Sequence, residues 1–246
     1  MNVKILGTGG FENEGLPFNS FLIDGRILVE TPPDILQSLR REAVPLGAIR
    51  TVVLTHFHGD HCFGLPFLLF NIAKASGQTP AERLTIAGPA GLRDRIEQLL
   101  ALAISPESPY IHWFRRNVDT VEIDETSNLD LGGGLWMRFM PTEHPVPTFG
   151  ILVGDGRSAT PMFAATSDTK WGRKAAAFFA SGARLILCDV NGGPGNGVHM
   201  GPAEAAEKAL PLVSPGTRVF GTHVSTDRHK NHPGLGIAKA GDSFEV

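Results

Sequence analysis

Thr51-Val-Val-Leu-Thr-His56-Phe-His58-Gly-Asp60-His61-Cys-Phe-Gly-Leu-Pro66 is the stretch on which the reading of this chain turns. Thr51 to Thr55 is a short β-branched and aliphatic run, which reads as a buried strand. The chain then delivers His56, His58, Asp60 and His61 within six positions. Alternate residues of an extended segment share a direction, so His56 and His58 can reach one metal ion. Asp60 and His61, after the turn at Gly59, can reach a second ion beside it. Imidazole and carboxylate are the donors that divalent zinc, manganese or iron accept. A lone histidine at a strand end is usually a solvated side chain. Four metal-competent groups packed behind one apolar strand are not explained that way.

Bulk properties leave room for such a site. The 246 residues are 42% hydrophobic and 19% charged, ordinary for a globular chain with a real core. Glycine (29) and proline (18) point to many turns between short elements. The net charge of −3 provides no global positive field for nucleic acid. Cys62 and Cys188 form no Cys-x-x-Cys pair, so no disulfide framework is indicated. With neither a signal peptide nor a membrane-length apolar run, a cytoplasmic protein is expected.

Outward from the quoted stretch, Val3 to Leu6 reads as a strand closed by Gly7-Thr8-Gly9-Gly10. No helix at the right spacing follows, so this is not a dinucleotide fingerprint. Asp24-Gly25 marks a hairpin between residues 19–24 and 26–30. Helices are expected over 35–40, 65–75 and 90–103, with a strand at 84–89. Strand–helix alternation of this kind marks an α/β layered domain. Tyr110-Ile-His112-Trp-Phe114 reads as a strand or pocket wall, with His112 structural or at the surface. A hairpin strand over 131–140 leads to His144. Met162 to Asp168 is a strand ending in an aspartate, which taken alone reads rather as a helix cap for residues 171–181. Arg184 to Asp189 is the next strand, and a glycine-rich loop carries His199 to an alanine-rich helix over 202–210. Thr217 to His223 is expected as the last strand, and His229 and His232 as part of a solvated basic tail.

Thr-His56-Phe-His58-Gly-Asp60-His61 resembles the signature of the metallo-β-lactamase superfamily. Cys62-Phe-Gly-Leu-Pro66, the Leu6-Gly-Thr-Gly9 turn, Gly88-Pro-Ala-Gly91 and His144-Pro-Val-Pro-Thr-Phe-Gly150 resemble its ribonuclease Z branch and the small phosphodiesterases related to it. The resemblance implies an α/β four-layer αββα sandwich, the metallo-β-lactamase fold, as a single domain over 1–246. It implies two divalent metal ions, zinc first and manganese or iron as substitutes. His56, His58 and His144 would hold one ion, and Asp60, His61 and His223 the other, with Asp168 bridging. His199 would donate a proton or bind phosphate, or else be simply an exposed loop histidine. Two departures stand out: Glu30-Thr31-Pro32 occupies the place of an aspartate and glycine that usually orient the site, and Ile151 replaces a tyrosine.

The implied chemistry is hydrolysis. Metal coordination brings the pKa of water down to roughly 7, and the hydroxide attacks an electrophilic phosphorus or carbonyl. Asp60 would orient it and His199 would protonate the leaving alkoxide. With no long basic insertion and a negative net charge, a small, cyclic phosphodiester is expected rather than nucleic acid, and a homodimer is the expected assembly. The alternatives are a thioester or lactone hydrolase on the same metals, and an inert metal-binding biosynthesis-accessory protein.

Overall fold

A computed structural model describes residues 1–75, 83–193, 196–225 and 234–246. His229 and His232 lie outside the described residues. The chain divides into two compact units. One comprises Met1–Gly7, Pro17–Ile123 and Gly241–Glu245; the other comprises Thr8–Leu16, Asp124–Ala240 and Val246.

In the first unit, β1 (Asn2–Gly7), β2 (Ser20–Ile23) and β3 (Ile27–Val29) run antiparallel. Asp24 (φ 47°) and Gly25 (φ 68°) join β2 to β3. Positive φ at both central residues is the type I′ turn that matches strand twist, as Asp-Gly predicts. Then follow α1 (Ile35–Arg41), β4 (Thr51–Val53), α2 (Gly59–Cys62), α3 (Leu65–Ala75), β5 (Leu84–Gly88), α4 (Leu92–Ala103), α5 (Pro109–Asn117) and β6 (Val118–Glu122). β3 to β6 pair in parallel, and the strand Ser243–Glu245 closes the other edge beside β1. Val52, Ile86, Leu65, Leu68, Ile96 and Phe114 meet in one core. Buried parallel strands lack a polar face, hence the apolar Val52-Val53-Leu54 run shortly before His56.

The aromatic segment 110–114 is helical, contrary to the sequence expectation. Ser108 accepts a hydrogen bond from Tyr110 N and Pro109 occupies the first turn, a paired start signal. The helix buries Ile111, Trp113 and Phe114 and leaves His112 exposed.

In the second unit, β7 (Asn128–Gly132), β8 (Leu135–Pro141), β9 (Phe149–Asp155) and β10 (Phe163–Ala165) run antiparallel. After α6 (Arg173–Phe179), β11 (Leu185–Asp189), α7 (Pro202–Glu204), β12 (Arg218–Thr222) and β13 (Gly236–Ile237), the pairing from β10 to β13 is parallel. The expected helix over 202–210 is one α turn, a π-helical stretch over Ala205–Ala209 and a 3₁₀ turn. Pro211 explains part of this, since its missing N–H ends the α ladder. The strand before His223 is not the last: β13 and Ser243–Glu245 follow it. Among the described residues no helix is long and apolar enough to cross a membrane.

Candidate metal centre and proton donor

In the first unit the loop after β4 is bound to the end of β3. Thr31 N donates to His61 O (2.7 Å) and Gly64 N to Thr31 O (2.8 Å). Gly64 is obligatory here, since a Cβ would stand 2.0 Å from Pro32 O. His58 precedes α2, and its carbonyl accepts from His61 N and Cys62 N, both at 3.1 Å. That turn folds Asp60 and His61 back toward His56. The His56 ring centroid lies 4.7 Å from that of His58 and 4.1 Å from that of His61. Behind them, the buried Glu30 carboxylate accepts from Thr55 Oγ1 (2.5 Å) and stands 3.4 Å from His61 Nδ1. Thr55 Oγ1 in turn lies 3.0 Å from His56 Nδ1. Burial raises the Glu30 carboxyl against the opposing pull of His61 and Thr55. Glu30, at the place of the family's usual aspartate, thus stands behind His61 directly and behind His56 through Thr55. Burial, aided by Glu30, pushes the Cys62 thiol up to about 12, so it stays a neutral, inert thiol.

In the second unit, Asp168 follows β10 by three residues, and it does not cap the next helix, whose cap position is Gly172. Its loop is held from several sides. Thr142 Oγ1 donates to Asp168 O (2.8 Å), Thr169 N to Asp189 Oδ2 (2.9 Å), and Met200 N to Thr169 O (2.7 Å). His144 lies in the loop after β8, His223 just past β12, and His199 in the loop after β11. The parallel register pairs Asp189 with Thr222, which brings His223 beside the end of β11.

The contacts are of two kinds, spaced and direct, and the spaced ones include His61 Nδ1–Glu30 Oε1 and His223 Nδ1–Asp189 Oδ1, both at 3.4 Å. His61 Nε2 stands 3.5 Å from Asp60 Oδ2, His223 Nδ1 3.6 Å from Asp168 Oδ1, and His144 Nε2 3.8 Å from Asp168 Oδ2. These exceed the usual 2.7–3.2 Å of a direct N–H···O bond. Two donors roughly 2.0–2.2 Å from one tetrahedral ion stand roughly 3.3–3.6 Å apart, so the first two separations suit convergence on a cation and the third lies just beyond that range. The donor chemistry agrees, being buried imidazole and carboxylate throughout. Glu30, His56 and His61 in one unit, and Asp168, His199 and His223 in the other, each bring ligand atoms within 4.8 Å of one another. A divalent metal fits these residues.

His199 is of the second kind, although it falls in one of those groupings. Its Nδ1 lies 2.7 Å from Asp189 Oδ2, a direct charge-assisted bond, and 4.0 Å from Asp168. Burial works to lower the His199 pKa, but the Asp189 and Asp168 carboxylates outweigh it and raise it. Asp189 is desolvated too, yet His199 and His223 hold its carboxyl below the ordinary range. The sequence reading passed over Asp189 as a strand end. The available signal was a carboxylate closing a buried strand directly before a histidine-bearing loop.

The family description "β-lactamase superfamily domain" matches residues 25–224. The chain belongs to the metallo-β-lactamase superfamily. It is 39% identical over 117 residues to ribonuclease BN of Cronobacter sakazakii, covering 48% of this chain and 34% of that protein. It is 34% identical over 160 residues to ribonuclease Z of Clostridium beijerinckii, covering 61% and 48%. The chain thus spans less than half the length of these curated relatives. The crystal structure of the short form of human tRNase Z matches with a TM-score of 0.76 at 21% identity, over 100% of this chain and 99% of that one. The expected α/β class and superfamily fold are borne out.

Proposed function

We propose that the chain is a phosphodiesterase acting on a small, cyclic phosphodiester, working as one domain over 1–246. Two divalent cations, zinc first, would be held by His56, His58, Asp60, His61, His144, Asp168 and His223. When bound, they supply Lewis acidity to the phosphoryl oxygens and lower the pKa of a water molecule. Asp60 orients that water. Glu30 and Thr55 set the ring orientations of His61 and His56, as carboxylates and hydroxyls behind metal-binding histidines do.

The observation that carries the reading is the 2.7 Å His199–Asp189 bond. A histidine whose Nδ1 is held by a carboxylate presents its other nitrogen, Nε2, outward with a defined tautomer. His199 then gives its proton to the departing oxygen. A sugar alkoxide is a poor leaving group and needs that proton; a thiolate leaves without it. The dyad is therefore worth building for a phosphodiester and superfluous for a thioester. The ribonuclease Z and BN relatives bear names of phosphodiester chemistry, but the net charge of −3 favours a small substrate over RNA.

The test is hydrolysis of a 2′,3′-cyclic nucleotide and of a thioester, side by side, with metal content measured on the same material. Cyclic-nucleotide turnover that falls about 10²–10⁴-fold in His199→Ala, with metal retained, is expected. Thioester turnover indifferent to His199 would move the assignment to the thioester hydrolases. Silence on both at full metal would point to an accessory protein.

A further inference from the structure

The glycine cluster after β1 plays no part in the chemistry above, yet it builds something. Gly10 N donates to Val224 O and Val224 N to Thr8 O, at 2.9 and 2.7 Å. Asn13 Nδ2 donates to Gly10 O (2.8 Å), and Asn13 Oδ1 accepts from Gly15 N (2.9 Å). Gly10 lies so close to Asn191 that a Cβ there would stand 2.8 Å from its Nδ2. The result is a tied loop that carries Phe11 with 73% of its surface exposed. Its ring is thereby offered to whatever enters the space beside it.

Phe11 lines a cavity of about 440 Å³ together with Glu12, Asn191, Asn196, His199 and Ser225. That volume lies within the roughly 300–1,000 Å³ of small-molecule sites. Among its described lining residues there is no lysine or arginine, and Glu12 adds a negative charge. A second phosphate or a polyanion is disfavoured there. Asn191, half-buried, forms part of the same wall. His199 lies in the same wall, and the group that receives its proton must sit against it.

We propose that this cavity is the leaving-group subsite, and that it takes an uncharged, hydroxyl-bearing aromatic group of nucleoside type stacked on Phe11. This rests on the phosphodiesterase reading for its kinetics, though not for its binding.

Two measurements test it. The first compares a 2′,3′-cyclic adenosine phosphate with the 2′,3′-cyclic phosphate of a base-free methyl riboside, in wild type, Phe11→Ala and Phe11→Trp. Loss of base–aromatic stacking should raise KM for the nucleotide about tenfold or more in Phe11→Ala, with kcat within about twofold. The base-free substrate should be unaffected, and Phe11→Trp should keep the wild-type KM. Equal effects on both substrates, or none on either, would overturn the proposal. The second measurement is calorimetric titration of adenosine alone. If no phosphodiester is hydrolysed, adenosine binding weakened about tenfold in Phe11→Ala and kept in Phe11→Trp still supports the subsite while the enzymatic reading fails. Adenosine binding that is absent, or the same in both variants, would overturn it.

Discussion

Asp189→Asn separates the proton-donor assignment from a merely structural one. Asp189 Oδ2 accepts from Thr169 N (2.9 Å) and faces His199 Nδ1 (2.7 Å), while Oδ1 accepts from Asn191 N (2.9 Å) and faces His223 Nδ1 (3.4 Å). Both oxygens thus meet a backbone N–H. Asparagine has one oxygen and one NH₂, so either orientation sets an amide N–H against a backbone N–H. One buried charge-assisted bond is lost, about 1.5–3 kcal/mol, and one donor is left unsatisfied at a similar cost. Partial relaxation brings the expected net destabilisation to about 3 kcal/mol. For a chain of this size that lowers Tm by about 6–12 °C. The kinetic consequence is more specific. Without the carboxylate, His199 loses both its fixed tautomer and the charge that raises its pKa. Cleavage of a phosphodiester with an alkoxide leaving group should slow about 10²–10⁴-fold. Bis(p-nitrophenyl) phosphate, whose nitrophenolate departs without a proton, should lose less than about tenfold. Differential scanning calorimetry, the two rates and metal content on one preparation decide the matter. An unchanged Tm would refute the hydrogen-bond accounting. Equal rate losses on both substrates at full metal would refute the role of His199 as acid.

Other expectations follow from single features. Ala43, with φ 53°, sits just past α1, where Ala43 N donates to Arg40 O and Val44 N to Leu39 O, the Schellman pattern that favours glycine. Ala43→Gly should stabilise by about 0.5–1 kcal/mol, raising Tm by about 1–4 °C in thermal melts. Gly64→Ala should destabilise by about 3 kcal/mol, read from denaturant midpoints, because the added methyl meets a backbone oxygen rather than a movable side chain. Arg115 hydrogen-bonds Glu97 and holds its carboxyl below the ordinary 4.5. A depressed carboxyl contributes stability that is present above pH 4.5 and lost as pH falls through its folded value. Glu97→Gln should therefore cost less than about 1 kcal/mol at pH 7 and shallow the acid limb of the stability profile by the same amount. Chelation of the metal-loaded protein should lower Tm by about 16–32 °C, as expected for two ions each present near 1,000 times its Kd, and added zinc should restore it.

What was legible in the sequence was chemistry concentrated in short strings. His56 to His61 sit in one loop, so residue type and spacing were enough to nominate them, whereas His144, Asp168 and His223, each after an apolar strand, were nominated only through the family resemblance. Period and punctuation likewise served α3 (65–75, as expected), α1, α4 and the Asp24-Gly25 hairpin. The failures have physical causes. In α5, Ile111, Trp113 and Phe114 mimic an aromatic strand, and the Ser108-Pro109 start signal was outvoted. β13 and Ser243–Glu245, of two and three residues, are too short to carry a pattern and exist only because a neighbouring strand offers its edge. Asp189 and Glu30 acquire their roles from partners 10 and 31 residues away, which no local window contains. The same holds for the backbone. Glu30 (φ 68°), Ser167 (φ 54°) and His223 (φ 56°) occupy the left-handed region, which L-residues adopt at a cost of about 1–3 kcal/mol. Two are themselves groups of the candidate centre and the third precedes Asp168. A chain leaving a parallel strand must turn sharply to keep its next donors at the strand's carboxyl end. Local propensity argues against that turn at Glu, Ser and His, and it persists because the network around it over-determines the geometry. Relieving the strain at Ser167 by glycine should therefore stabilise the fold while loosening Asp168.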